Sequence, residues 1–377
     1  MRKIVFVSTY SLAEPVLSNR LTPFIDLALD RGLSVVLVNP IGGGYHRAQD
    51  VNFSHVTIDI PQANRGNFFL RSLREIDLAR RVLSQLPKSS DVVFVTIPSM
   101  FLLFIFKGFG DSIKVLDVRD LTWEYLSDTS ILTRLAKNLF RLLAQLKFPR
   151  FDFYCVTNSS EQKYLVQRIE INPEKVIQCS NGITREQFER LCMVDYDTSS
   201  EISKPPRVTY IGNVGLAQNI VTLVEAAKQL PDVDFYVVGG GSDQARIEEA
   251  ARQVPNFVIT GRVDWSAIPA TYQQADILWA QLTPEFSGAV PSKIYEYLAT
   301  GKTVIYGGLG ETVSVISEFR GVKVVEPNNV IELVSAIKKV INSNEYCQLN
   351  LSNRQIIKDK YLRETSVERF YQGIDER

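Results

Sequence analysis

Short apolar runs alternate with amphipathic segments from one end of the chain to the other. Strand-like runs stand at Ile4–Val7, Ser34–Val38, Val92–Thr96, Lys114–Asp117, Tyr154–Thr157 and Val176–Cys179. Between them, apolar residues return at helical spacing in Leu21–Leu29, Phe69–Leu83 and Ile131–Leu146. The alternation restarts with runs at Val208–Ile211, Phe235–Val238, Phe257–Ile259, Ile277–Ala280, Thr303–Tyr306 and Lys323–Val325. The helical patterns between these are Ile220–Leu230, Ser242–Ala251, Ala267–Gln274, Ser292–Ala299, Val313–Phe319 and Val330–Ile341. Val/Ile-rich runs alternating with helices predict parallel sheets covered on both faces. A polar stretch with a Pro-Pro pair at 195–206 has no periodicity and reads as a linker. The expected fold class is therefore α/β, with two doubly wound domains facing across a cleft. Residues 1–195 form the first and 207–360 the second, and 361–377 form a C-terminal helix free to pack back on the first. In such sheets ligands sit at the carboxyl ends of the strands, and the cleft adds a second wall.

Composition narrows the chemistry. A chain of 377 residues suits two domains. Its 42 Lys+Arg balance 42 Asp+Glu, so bulk charge gives no support for a nucleic-acid partner. Cysteines 155, 179, 192 and 347 show no CxxC spacing and read as reduced, cytosolic thiols. His46 and His55 are the only histidines, which argues against a zinc site and leads us to expect no metal. No run reaches the roughly 18 apolar residues of a membrane span. The longest, Met100–Phe106, suits a core or a membrane surface.

Three segments carry candidate chemistry. In Ser287–Val304, Pro291 suits a first helical turn, Ser292 can cap it, and Gly301 ends the helix. The free N–H groups and positive dipole end there can hold a diphosphate, with Lys293 adding a full charge. Glu296, on the same face one turn later, can accept hydrogen bonds from the vicinal hydroxyls of a ribose. The other reading of this spacing is a core helix with a Lys293–Glu296 surface pair. In Tyr210–Asn219, Gly212 and Gly215 let backbone approach a ligand closely, and Asn213 and Gln218 offer amide hydrogen bonds; a plain strand-to-helix turn looks the same. Val237–Asp243 carries three glycines, but Gln244 stands where a dinucleotide fingerprint needs its last glycine, and the run follows the second strand of its sheet. The D-x-D pairs Asp195/Asp197 and Asp232/Asp234 carry little weight, one lying in the linker.

Val-Pro-Ser-Lys-Ile-Tyr-Glu-Tyr-Leu-Ala-Thr-Gly-Lys at 290–302 resembles the nucleotide-sugar motif of family-4 glycosyltransferases, which share the GT-B fold of two Rossmann-like domains. Ser180-Asn-Gly-Ile183 with Phe188, Val238-Gly-Gly-Gly241, and Gly261-Arg-Val263 followed by Tyr272 and Ala275-Asp276 resemble other elements of that family in order. The Gly-Asn-x-Gly-x-Ala-Gln run at 212–218 is similar to that of bacterial enzymes building O-antigen, capsule or exopolysaccharide. The resemblance adds Gly239, Arg262, Val263 and Val290 to the donor-site candidates. It also implies retention of anomeric configuration with no cofactor and no obligatory metal. The chain departs from the family in two places. Where many members carry a first glutamate eight positions before Glu296, it has Gly288, with Glu285 three residues early. Asn213 and Gln218 replace the usual first-loop Arg and Lys, so phosphate charge falls on Lys293, backbone N–H groups and Arg262.

On the acceptor side, Asp120 in Leu116–Glu124 resembles an Asp of the subgroup and can orient or deprotonate an acceptor hydroxyl. The rival reading has Asp117 and Asp120 capping a helix and pairing with Arg119. Ile131–Leu146 is amphipathic: Ile131, Leu132, Leu135, Leu139, Leu142, Leu143 and Leu146 fill one arc, and Arg134, Lys137, Asn138, Arg141 and Gln145 the other. Such a basic helix either covers a sheet or lies on an anionic membrane. The expectation is a glycosyltransferase of bacterial surface polysaccharide synthesis. It would take a nucleotide diphosphate sugar, expected to be UDP-linked, and a polyprenyl-diphosphate-linked acceptor, from the cytoplasm and the inner membrane face. The alternatives are a nucleotide-sugar epimerase of the same fold and a non-catalytic nucleotide-sugar-binding subunit.

Overall fold

The computed structural model describes residues 2–59, 68–97, 100–119, 121–124, 126, 130–195 and 204–375, and these divide into two compact units. The first comprises Met1–Ser180 and Arg363–Arg377, the second Asn181–Leu362.

In the first unit the order is β1 (Lys3–Val7), α1 (Pro15–Asp30), β2 (Ser34–Pro40), β3 (Phe53–Ile58), α2 (Phe68–Ser84), β4 (Val92–Ile97), α3 (Met100–Ile105), β5 (Ile113–Val118), α4 (Ile131–Lys147), β6 (Phe153–Val156), α5 (Ser159–Arg168) and β7 (Val176–Gln178). The strands form a parallel sheet ordered β3-β2-β1-β4-β5-β6-β7. Each central strand feeds two cores: Val5, Val7, Val93 and Val95 face one layer of helices, Ile4, Phe6, Val92 and Phe94 the other. That two-sided burial is why these strands read as unbroken apolar runs. β3 was missed in the pattern. It lies at the sheet edge, paired among the described residues only with β2, so its sequence mixes polar and apolar residues.

The second unit contains α6 (Arg185–Cys192), β8 (Arg207–Ile211), α7 (Val221–Lys228), β9 (Asp234–Val238), α8 (Gln244–Ala251), β10 (Phe257–Gly261), α9 (Ile268–Gln274), β11 (Ile277–Gln281), α10 (Ser292–Thr300), β12 (Thr303–Gly307), α11 (Glu311–Ile316), β13 (Val322–Val325), α12 (Val330–Asn342) and α13 (Ser352–Lys360). Its parallel sheet runs β10-β9-β8-β11-β12-β13. Both units are Rossmann-like.

The chain crosses between units at Ser180/Asn181 and again at Leu362/Arg363, not at the polar stretch 195–206. A polar loop marks surface, whereas the unit is decided by where apolar side chains are buried, and Leu191 and Val194 lie in the core of the second unit. The Ser180–Ile183 motif has a geometric reason. A Cβ on Gly182 would stand 1.7 Å from the Tyr361 carbonyl oxygen, and Ile183 N–H donates to that oxygen at 3.1 Å. The C-terminal helix α14 (Arg363–Asp375) belongs to the first unit. Its Phe370 packs edge-on to Phe24 of α1, and Tyr371 hydroxyl donates to the Phe24 carbonyl at 2.8 Å.

Candidate functional site

In the second sheet, β8 lies between β9 and β11: the chain runs outward from β8 to β9 and β10, then returns to β11 on the other side of β8 and continues outward to β12 and β13. A crevice therefore opens at the carboxyl end between the loop after β8 and the loop after β11. Thr283 N–H donates to the Ala217 carbonyl at 2.8 Å, and the buried Gln281 amide donates to the Gln218 carbonyl at 3.1 Å, tying the two loops together. The loop after β9 lies directly on the loop after β8. Gly239 has φ +148°, and a Cβ there would stand 1.7 Å from the Gly212 carbonyl oxygen; one on Gly241 would stand 2.2 Å from that of Val214. Arg262, just past β10, continues the row, its Cγ 3.1 Å from where a Gly240 Cβ would be. Four loops thus converge, and glycine is required where they touch.

α10 rises from this crevice. Pro291 takes the N-cap position and Ser292 is the first helical residue, reversing the expected roles; no side chain caps the helix. Ile294 N–H turns back to the Pro291 carbonyl at 3.1 Å, and the N–H groups of Ser292 and Lys293 are left for water or a ligand. Lys293 stands in that turn, its Cγ 3.6 Å from the Gly212 Cβ position. One turn on, Glu296 is only 6% exposed, so the pair with Lys293 is not the surface pair that the spacing also allowed. Its Oε2 accepts from Lys293 Nζ at 3.1 Å and from the Tyr272 hydroxyl at 3.1 Å. Among the described residues, no donor reaches Oε1. Burial, with the Glu296 charge adding to it, pushes the Tyr272 hydroxyl well above its ordinary pKa, so it stays a donor. The Tyr297 hydroxyl donates to the Ile211 carbonyl at 3.0 Å and accepts from Ile211 N–H at 2.7 Å, fastening α10 to the end of β8.

The loop entering α10 is held from α11. Glu311 N–H donates to the Ser287 carbonyl and Thr312 hydroxyl to the Ala289 carbonyl, both at 2.8 Å. Gly310, at φ +70°, brings its Cα close enough that a Cβ would lie 2.3 Å from the Ser287 oxygen. Uncapped N–H groups, a cation and a buried carboxylate thus fall within one helical turn. That arrangement suits a ligand with an anionic group joined to a hydroxyl-bearing one.

Residues 205–343 match the family described as Glycosyl transferases group 1. The chain is 27% identical over 207 residues to a protein of Escherichia coli (strain K12) named as a colanic acid biosynthesis glycosyl transferase, WcaI, covering 49% of this chain and 50% of that one. It is 25% identical over 194 residues to a protein of Bacillus subtilis (strain 168) named as a teichuronic acid biosynthesis glycosyltransferase, TuaH, covering 50% and 49%. The chain spans about half the length of these curated relatives. In fold it is similar to Anabaena HepE, solved in complex with UDP-glucose, with a TM-score of 0.71 at 14% identity over 100% of both chains. The two parallel-sheet units match GT-B glycosyltransferase structures.

The matched segment holds all the donor-site candidates, and they meet with different fates. Gly212, Gly215, Gly239, Val290, Pro291, Ser292, Lys293 and Glu296 line the converging loops and α10. Gln218 Oε1 accepts from Gly215 N–H at 3.1 Å, so that oxygen braces its own turn instead of pointing to a ligand. Asn213 presents its carbonyl to the Tyr210 hydroxyl at 2.5 Å. Arg262 and Val263 lie exposed at the end of β10. Glu285 lies three residues before Gly288. It sits exposed in a short turn, where its own backbone N–H and the Thr283 hydroxyl hold it below its ordinary pKa. Asp197 of one D-x-D pair lies outside the described residues, among which no three His, Cys, Asp or Glu side chains gather as a metal site would. The Tyr272 and Tyr297 contacts and the Gly310–Thr312 brace were not foreseen. Gly307-Gly-Leu-Gly310 after a strand was the visible signal for the last.

In the first unit, Asp120 lies outside the described residues. Asp117 is buried and pairs not with Arg119 but with Arg20 of α1, at 2.6 Å, while Thr96 hydroxyl donates to its other oxygen at 2.8 Å. Arg20 also donates to the Cys179 carbonyl at 2.6 Å. Burial works against the Arg20 charge, but Asp117, together with Cys155 and Cys179, holds the guanidinium above its ordinary pKa.

Proposed function

We propose that the protein transfers a sugar from a UDP-linked donor to a polyprenyl-diphosphate-linked acceptor in bacterial surface polysaccharide synthesis, working peripherally at the inner face of the plasma membrane. The observation that carries this is the buried Glu296 carboxylate, with Oε2 held by Tyr272 and Lys293 and Oε1 left for a ligand, one turn into an uncapped helix of the segment matching the group 1 family. The α10 N–H groups and Lys293 take the diphosphate, Glu296 Oε1 takes the ribose hydroxyls, and Lys293 is shared between carboxylate and phosphate. Catalysis is then electrostatic and positional: the helix end and Lys293 stabilise the diphosphate as it leaves. The colanic and teichuronic acid relatives support the polysaccharide setting, and the UDP-glucose complex of a similar fold supports the nucleotide. Asp120 remains our candidate for orienting the acceptor hydroxyl.

Glu296→Ala is expected to weaken UDP binding at least tenfold, about 1.4 kcal/mol, by calorimetry. Unchanged affinity would remove the ribose role. With donor and lipid-linked acceptor, the expected products are free UDP and a new glycoside; an isomerised donor without glycoside would replace transfer with epimerisation. Following the family resemblance, we expect turnover to persist in excess chelator. Loss of activity restored by a divalent cation would show that a metal is needed.

A further inference from the structure

α4 has an apolar arc on each side, and the fold buries the one that the sequence marked less strongly. Phe140 stacks on Phe104 at 5.9 Å, Ala144 is in the core, and Lys137, from the polar arc, is buried with its Nζ on the Leu126 carbonyl at 3.3 Å. Ile131, Leu135, Leu139, Leu142 and Leu146 face outward, each 53–77% exposed. Their spacing of four, four, three and four residues makes one continuous stripe along the helix. Nothing among the described residues covers it.

The neighbouring surface is cationic. Lys147 is held below its ordinary pKa by burial and by the charges of Arg150 and Lys107. Among the described residues no carboxylate pairs with any of these three. A cavity of about 450 Å³ between α2 and the end of α3 is lined by Arg80, Lys88 and Lys107 together with Leu83, Ile105 and Phe109, so cations and apolar surface meet in it. Like charges gathered without counter-charge favour an anion beside them.

We propose that the outward stripe of α4 and the adjoining Lys107/Lys147/Arg150 cluster form a docking face for an anionic phospholipid bilayer, the leucines entering the acyl boundary and the cations meeting headgroup phosphates. A single exposed helix lying flat, apolar along its crest and basic at its flank, has the form of an interfacial helix. A second copy of the chain would also cover the leucines, but it would bring two uncompensated cationic clusters together. Among the described residues no helix is long and apolar enough to cross a membrane, so contact of this face is superficial. The inference deepens the membrane location proposed above and is tested without donor or acceptor, so its failure leaves the transfer reaction standing.

The test is flotation of the full chain with vesicles of phosphatidylcholine alone or mixed with phosphatidylglycerol. Binding is expected only with the anionic vesicles and should weaken as salt rises. Leu135→Gln/Leu139→Gln/Leu142→Gln is expected to lower the partition coefficient about tenfold or more. Lys107→Gln/Lys147→Gln/Arg150→Gln is expected to abolish the preference for phosphatidylglycerol. Both variants should keep the parent's melting midpoint and UDP affinity, since the altered side chains are exposed or, at Lys147, half-buried, and lie outside the donor site. The proposal is overturned if the parent chain floats with neither vesicle or equally with both, or if the leucine variant floats as well as the parent. It is also overturned if the parent is a dimer that the leucine variant dissolves.

Discussion

Gly239→Ala is expected to destabilise the second unit by about 3 kcal/mol and to weaken UDP binding more than tenfold. The new methyl group would stand 1.7 Å from the Gly212 carbonyl oxygen, a contact that only a backbone shift relieves, and φ at this position is +148°. The shift falls on the loop after β8, one wall of the crevice beside Lys293. At roughly 2–4 °C per kcal/mol for a unit of this size, the melting midpoint should fall by about 6–12 °C. Gly261→Ala is the comparison. Its φ is +76°, yet a Cβ there meets nothing within 4 Å, so only backbone strain of about 1–2 kcal/mol applies. Scanning calorimetry and UDP titration of both variants decide the matter. If the two lose the same stability and neither loses affinity, the close approach of the β8 and β9 loops does not shape the site.

Asp117→Ala should cost the first unit about 3–5 kcal/mol. The substitution strands the Arg20 guanidinium, which is buried, and leaves the Thr96 hydroxyl without its acceptor. The cost is that of an uncompensated charge and not the worth of the ion pair, so removing both partners should be far milder. Arg20→Met/Asp117→Leu is expected to regain most of the loss in urea melts, with the two single changes strongly non-additive. Additive losses, or an Asp117→Ala change under about 1 kcal/mol, would mean that the pair is solvated. The ion pair joins α1, the end of β5 and, through the Cys179 carbonyl, the end of the chain's first passage through this unit. It therefore sets the strand end from which the segment carrying Asp120 departs.

Much of the site was legible because its signals are local. A proline, a lysine and a glutamate within six residues, followed by a C-terminal glycine, describe the start and end of one helix wherever it packs. Glycines after three strands mark where backbone must approach backbone. The partners of those residues were not legible. Tyr272 meets Glu296 from 24 positions away, Asp117 meets Arg20 from 97, and Glu311 braces Ser287 across a helix and a strand. Periodicity has no access to such pairs, since each depends on which strands lie side by side.

The order of apolar and polar residues alone sufficed for thirteen parallel strands less the edge strand β3, for two doubly wound sheets, and for the helix that carries Lys293 and Glu296. Central strands are buried on both faces, so their composition announces them in any context. Three matters were settled by packing: that Glu296 is buried and half-satisfied, that the chain changes units at 180 and 362, and that α4 turns Leu135, Leu139, Leu142 and Leu146 outward and Lys137 inward. A helical wheel gives the angle between two arcs but not which arc faces the sheet. That choice falls to the residues across the interface, here Phe104 against Phe140, and they are distant in sequence and near only in the folded chain.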